Sequence, residues 1–175
     1  MFNIDPEHHL DTQRLAVAQS AAIRRTAATE VARGLDNVFF ASAGGVALLT
    51  YPAARLLQQR SSLPVCIERA AELAATENAN LGPRSLVVLC SVSGTTKEAV
   101  AMMKAAQARG AHVLTFTGTP ETPLATLSDI NIATPAADDT SSETYLIQTL
   151  VLARALMEAR GELSGRAEIL SELAL

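Results

Sequence analysis

Short unbroken apolar runs alternate along this chain with longer segments whose apolar residues recur every three or four positions. The runs Asn37–Ala41, Leu63–Ile67, Ser85–Cys90, His112–Thr117 and Asp129–Ala133 predict five strands, most of them buried on both faces as in a parallel sheet. Between them the spacing predicts helices over about Val46–Gln59, Arg69–Thr76, Thr95–Arg109 and Glu143–Arg160. A single N-terminal helix is expected from about Pro6 to Arg33, with Leu10, Leu15, Ala18, Ala22 and Ile23 on one face and Gly34 to stop it. The segment with Pro120 and Pro123 reads as a turn, and a last helix is expected after Ser164. Strands alternating with helices, joined by right-handed crossovers, predict an α/β fold: a flavodoxin-like three-layer α/β/α sandwich on a five-stranded parallel sheet.

In such sheets ligands sit beyond the carboxyl ends of the strands. Two glycine-bearing loops fall there, Ser42-Ala43-Gly44-Gly45 and Ser91-Val92-Ser93-Gly94-Thr95-Thr96. The second loop has four hydroxyls around one glycine and runs into a helix. A helix N-terminus carries unsatisfied N–H groups and a partial positive charge, so the loop outlines a phosphate cradle. Capping alone would need only one hydroxyl. The loop is neither a Walker loop, since Lys97 follows the hydroxyls, nor a three-glycine dinucleotide fingerprint. These features favour a small phosphorylated ligand over a nucleotide.

Composition narrows the partners. The 175 residues are 49% hydrophobic and 3% aromatic, which suits one domain with a small-residue core. A net charge of −4 argues against nucleic acid or an anionic membrane as partner. It also means that a bound phosphate must be held by local dipoles and hydroxyls. Cys66 and Cys90 lie in predicted strands and are expected to be reduced thiols of a cytoplasmic protein, though the sequence leaves their pairing open. His8, His9 and His112 form no ligand spacing with the cysteines, so no metal and no cofactor is expected. No signal peptide or membrane span is read from the chain.

With these loops placed, the chain resembles a sugar isomerase (SIS) domain from Asn37 to Gly161, and is most similar to the first half of two-SIS proteins. These include the fructosamine-phosphate deglycases and the isomerase portion of glucosamine-6-phosphate synthase. The family's Ser-x-Ser-Gly-x-Thr motif is matched by Ser91, Ser93, Gly94 and Thr96, which with Thr95 the resemblance assigns to the substrate phosphate. It assigns Ser42, Gly44, Gly45 and Ser141 to the sugar, with Tyr145 and Gln148 after the last, and places Glu72 at a glutamate ahead of the third strand. Val92, Val46 and Glu143 depart from residues common in the family, and its second-half glutamate before His-Gly-Pro is absent. Domain limits follow: residues 1–36 a helical segment, 37–161 the SIS domain, and 162–175 a helix or the start of a linker.

Glu72 is the candidate catalytic base for proton transfer between sugar C1 and C2, since a partly buried carboxylate can have its pKa raised toward neutrality; the alternative is a surface or helix-end contact. His112, at the far end of its strand, is expected to be structural. Tyr145 and Gln148 stand equally as packing residues or ligand contacts. The resemblance implies an enzyme acting on a phosphorylated sugar or a sugar–amine adduct, either a sugar-phosphate isomerase or a fructosamine-6-phosphate deglycase. A non-catalytic phosphosugar sensor and a structural half-domain are the alternatives. Apolar surface on the first and last helices leads us to expect a homo-oligomer.

Overall fold

The computed structural model describes residues 5–135 and 141–163. Five strands form one sheet: β1 (Asn37–Ser42), β2 (Val65–Arg69), β3 (Ser85–Ser91), β4 (His112–Thr117) and β5 (Ile130–Ala133). Every pair is parallel and the order is β2-β1-β3-β4-β5, the flavodoxin-like arrangement expected. Seven helices accompany them among the described residues: α1 (Pro6–Ala18), α2 (Ser20–Ala32), α3 (Val46–Arg60), α4 (Ala70–Ala75), α5 (Lys97–Ala108), α6 (Pro123–Leu127) and α7 (Ser141–Ala159).

Strand periodicity divides the core. Val38, Phe40, Leu86, Val88, Cys90, Leu114 and Phe116 point to one face and pack with Ile23, Leu57, Leu152 and Leu156 from α2, α3 and α7. Their alternates Phe39, Ala41, Val87, Leu89 and Val113 meet Leu73, Met102, Met103 and Leu124 from α4, α5 and α6 on the other. Each strand therefore reads as a continuous apolar run because both its faces are covered.

Three expectations change. The N-terminal helix is two helices that join at Gln19, whose Nε2 donates to the Ala133 carbonyl at 3.4 Å. Both pack on α7, and α2 adds Ile23 and Ala27 to the core. Thr12, Ala16, Ile23, Ala27 and Glu30 form the buried stripe, while Leu10 and Leu15 are exposed. The small side chains Thr12, Ala16 and Ala27 of that stripe let the helices approach closely, and this turns the leucines outward.

Strand β2 runs two residues later than predicted. Pro64 has no N–H to give to a ladder, and pairing begins at Val65 and continues to Arg69, which lies opposite Ser42. The expected turn after β4 contains α6, whose first turn is capped by Thr122 Oγ1 accepting the Ala125 N–H at 3.4 Å. The helix expected after Ser164 lies outside the described residues.

Candidate functional site

The order in which successive strands join the sheet reverses between the parallel neighbours β1 and β3, and the two glycine loops leave these strands. They splay as β1 ends: Ser42 Oγ, buried, accepts the Cys90 N–H at 3.0 Å in place of a ladder carbonyl. Burial pushes the Cys90 thiol up to about 12, against a smaller downward pull from Ser42, so this sulfur stays a neutral packing group.

The β3–α5 loop is held by its own hydroxyls. Ser91 Oγ accepts the Gly94 N–H at 3.1 Å and lies 3.3 Å from Thr96 Oγ1. Ser93 Oγ accepts both the Thr95 N–H (3.3 Å) and the Thr95 hydroxyl (3.0 Å). A serine hydroxyl has one donor and two acceptor sites, so the exposed Ser93 keeps its proton for a ligand. Gly94 has φ +63, and a Cβ there would lie 2.0 Å from Thr122 Oγ1; only glycine fits. Its carbonyl accepts the Leu124 N–H at 3.1 Å, which ties the loop to α6.

Helix α5 begins at Lys97, two residues later than predicted, with Thr96 at its N-cap and no side chain capping it. The first-turn N–H groups of a helix have no partner within the helix, so here they face the loop's open side. The Gly94 and Thr95 N–H groups donate to Ser91 Oγ and Ser93 Oγ.

An open cavity of about 790 Å³ lies between the loops, walled by Ser42, Gly44, Gly45, Arg69, Thr96 and Glu98 among others. Ser42, Gly44, Gly45 and Thr96 thus meet in one cavity, and Ser93 and Thr95 are exposed next to Thr96 in the chain. Ser141 begins α7, but its side chain lies outside the described residues. Glu72 is outside the cavity wall. It lies in the first turn of α4, exposed, with Oε1 3.5 Å from Arg69 Nη1.

Tyr145 and Gln148 are buried on α7 beneath the strand ends. Burial pushes the Tyr145 phenol up, the nearby Cys90 adds to this, and the Gly118 N–H opposes it. Gln148 Nε2 donates to Thr134 Oγ1 at 2.8 Å. Tyr145 Oη and Gln148 Oε1 are buried without a hydrogen-bond partner among the described residues. His112 Nδ1 lies 3.0 Å from Oε1 of the buried Glu30, whose other oxygen meets Arg33 Nη1 at 2.5 Å. This cluster braces the amino end of β4, as expected of a structural histidine. The cysteines are free thiols, and no group of three metal-ligating side chains occurs among the described residues. No described helix is long and apolar enough to cross a membrane.

The residues missed in the sequence are Arg69, Glu98 and Thr122. A strand register of Val65–Arg69 would have exposed the first; nothing local announces that Thr122 packs on Gly94.

The family model for the SIS domain matches residues 34–159. The chain belongs to the SIS domain family. A curated relative, Fructosamine deglycase FrlB of Bacillus subtilis (strain 168), is 37% identical over 92 residues, which are 52% of this chain and 28% of that protein. The C-terminal domain of glucosamine-fructose-6-phosphate aminotransferase from Francisella tularensis shares the fold with a TM-score of 0.74 at 17% identity, over 93% of this chain and 53% of that one. The Vibrio vulnificus NanR protein, complexed with ManNAc-6P, aligns with a TM-score of 0.67 at 17% identity, over 97% of this SIS chain and 69% of that one. The matched segment spans about a quarter of the curated relative's length.

Proposed function

We propose that this SIS domain binds a phosphorylated sugar with its phosphate at the mouth of the Ser91–Thr96 loop. The observation that carries the reading is the uncapped N-terminus of α5, which opens beside a hydroxyl-braced loop and a cavity at the sheet's reversal point. The first-turn amides and the protons of Ser93 and Thr96 are the donors; the sugar extends toward Ser42, Gly44, Gly45 and Ser141. The ManNAc-6P complex of the NanR protein is consistent with this class of ligand.

The domain belongs, in this reading, to a cytoplasmic sugar-phosphate isomerase or fructosamine-6-phosphate deglycase, and the likeness to FrlB supports the second. Exposure of Glu72 and its pairing with Arg69 favour a non-catalytic binding role for the chain by itself. A second SIS domain, from another copy or another segment, would cover the exposed Leu48 and Tyr51 of α3 and close the cavity. Sedimentation of a stable monomer at micromolar concentration would count against the homo-oligomer.

Calorimetry with fructose 6-phosphate and fructose tests the site. The phosphate should dominate the affinity. Ser93→Ala removes a charge-assisted hydrogen bond of about 1.5–3 kcal/mol, a loss of about one to two orders of magnitude in affinity. Equal affinity for the two sugars, or an indifferent Ser93→Ala, would sink the reading.

A further inference from the structure

We propose that Arg69 selects ligands that carry a second anionic group beyond the sugar phosphate; this rests on the phosphosugar reading above. Register places Arg69 at the carboxyl end of the edge strand β2, opposite Ser42, and the residue is part of the cavity wall. It is the cation of that wall among the described residues, in a protein whose net charge is −4. No general basic field competes with it for an anion.

Its present partner holds it weakly. The Arg69–Glu72 contact is 3.5 Å long with side chains 81% and 62% exposed, and such surface pairs contribute little. A ligand anion in the partly enclosed cavity can take the guanidinium's two-pronged face in exchange.

There is room for such a ligand. About 790 Å³ lies in the upper part of the roughly 300–1,000 Å³ range of sites that hold drug-sized molecules. The wall next to Arg69 is Ala70 and Ala71, and a Cβ added at Gly44 or Gly45 would meet nothing within 4 Å. A phosphoketose joined through nitrogen to an amino acid supplies a carboxylate. A sugar bisphosphate supplies a second phosphate. The shared chemistry is an anion placed away from the first phosphate.

The test is calorimetry on the full chain with fructose, fructose 6-phosphate, its 1-deoxy-1-glycine adduct, the matching methylamine adduct and fructose 1,6-bisphosphate. The glycine and methylamine adducts differ by one carboxylate. Wild type should prefer the glycine adduct over the methylamine adduct, or the bisphosphate over the monophosphate, by about tenfold or more. Arg69→Ala should bring that ratio to about one. Ratios are read within each variant, so a general loss of affinity does not imitate the effect. Which pair shows the preference identifies the source of the anion. No preference in wild type for either pair, or a preference that survives Arg69→Ala, overturns the proposal while the phosphosugar reading stands. Fructose 6-phosphate binding no better than fructose overturns both.

Discussion

The two loops at the carboxyl ends of β1 and β3 share glycine and serine but are built oppositely. The Ser91–Thr96 loop is braced from every side: Ser91 and Ser93 accept its amides, Thr122 packs on Gly94, and the Leu124 N–H meets the Gly94 carbonyl. Around Gly44 and Gly45 the Ser42–Gly45 loop has open space, and its fixed point is the bond from the Cys90 N–H to Ser42 Oγ. A phosphate site gains from donors already in place, because a rigid cradle loses little entropy when the anion arrives. The wall that takes the variable part of a ligand, or a second domain, gains from being bare. Similar composition thus builds a braced loop and an open one, which in the proposed reading are a fixed and an adaptable subsite.

Exchanging a glycine for alanine in each loop should separate them. Gly94→Ala must avoid both the left-handed φ and the contact with Thr122, and should destabilise the fold by about 2–4 kcal/mol. Chemical denaturation reads the loss, and fructose 6-phosphate binding should fall with it. A variant as stable as wild type would show that the brace is not rigid.

Gly44→Ala meets the same left-handed penalty, at φ +61, but no neighbour. Its expected loss is about 1–2 kcal/mol, from backbone strain alone. A loss equal to that of Gly94→Ala would erase the distinction between the loops.

The smallest effect lies away from both loops. Just past α7, Glu162 would be raised by its burial, but hydrogen bonds from Ser61, Ser62 and Arg160 outweigh this and hold it below the ordinary glutamate value of 4.5. A lowered folded pKa contributes stability that is full above that value and lost as pH falls through the folded one. Wild type should therefore lose part of its advantage over Glu162→Gln on acidification below about pH 4.5 in thermal melts. An advantage that does not change with pH would remove Glu162 from the account.

How much was legible in the chain depended on the range of the interaction. The apolar runs of β1, β3 and β4 identified a doubly covered parallel sheet, because burial on both faces acts on each residue of a strand in turn. Ser91, Ser93, Gly94 and Thr96 were legible because a strand, a turn and a helix start are contiguous, and their hydrogen bonds close within five residues. What failed was tertiary. The leucines of α1 read as a buried face, yet close packing on α7 selects Thr12 and Ala16. Arg69 read as a helix start until pairing with β1 carried the edge strand to it.

Contiguous sequence by itself determined the layered α/β architecture and the placing of two glycine loops at the carboxyl ends of β1 and β3. Only the tertiary structure decided that Glu72 is exposed and tied to Arg69, that Glu30 is buried against His112, and that Gly94 is locked by Thr122. Local periodicity and turn chemistry are properties of neighbouring residues, whereas these pairings join residues from separate elements. Which of their side chains meet is chosen by how the elements pack, not by the spacing within any one of them.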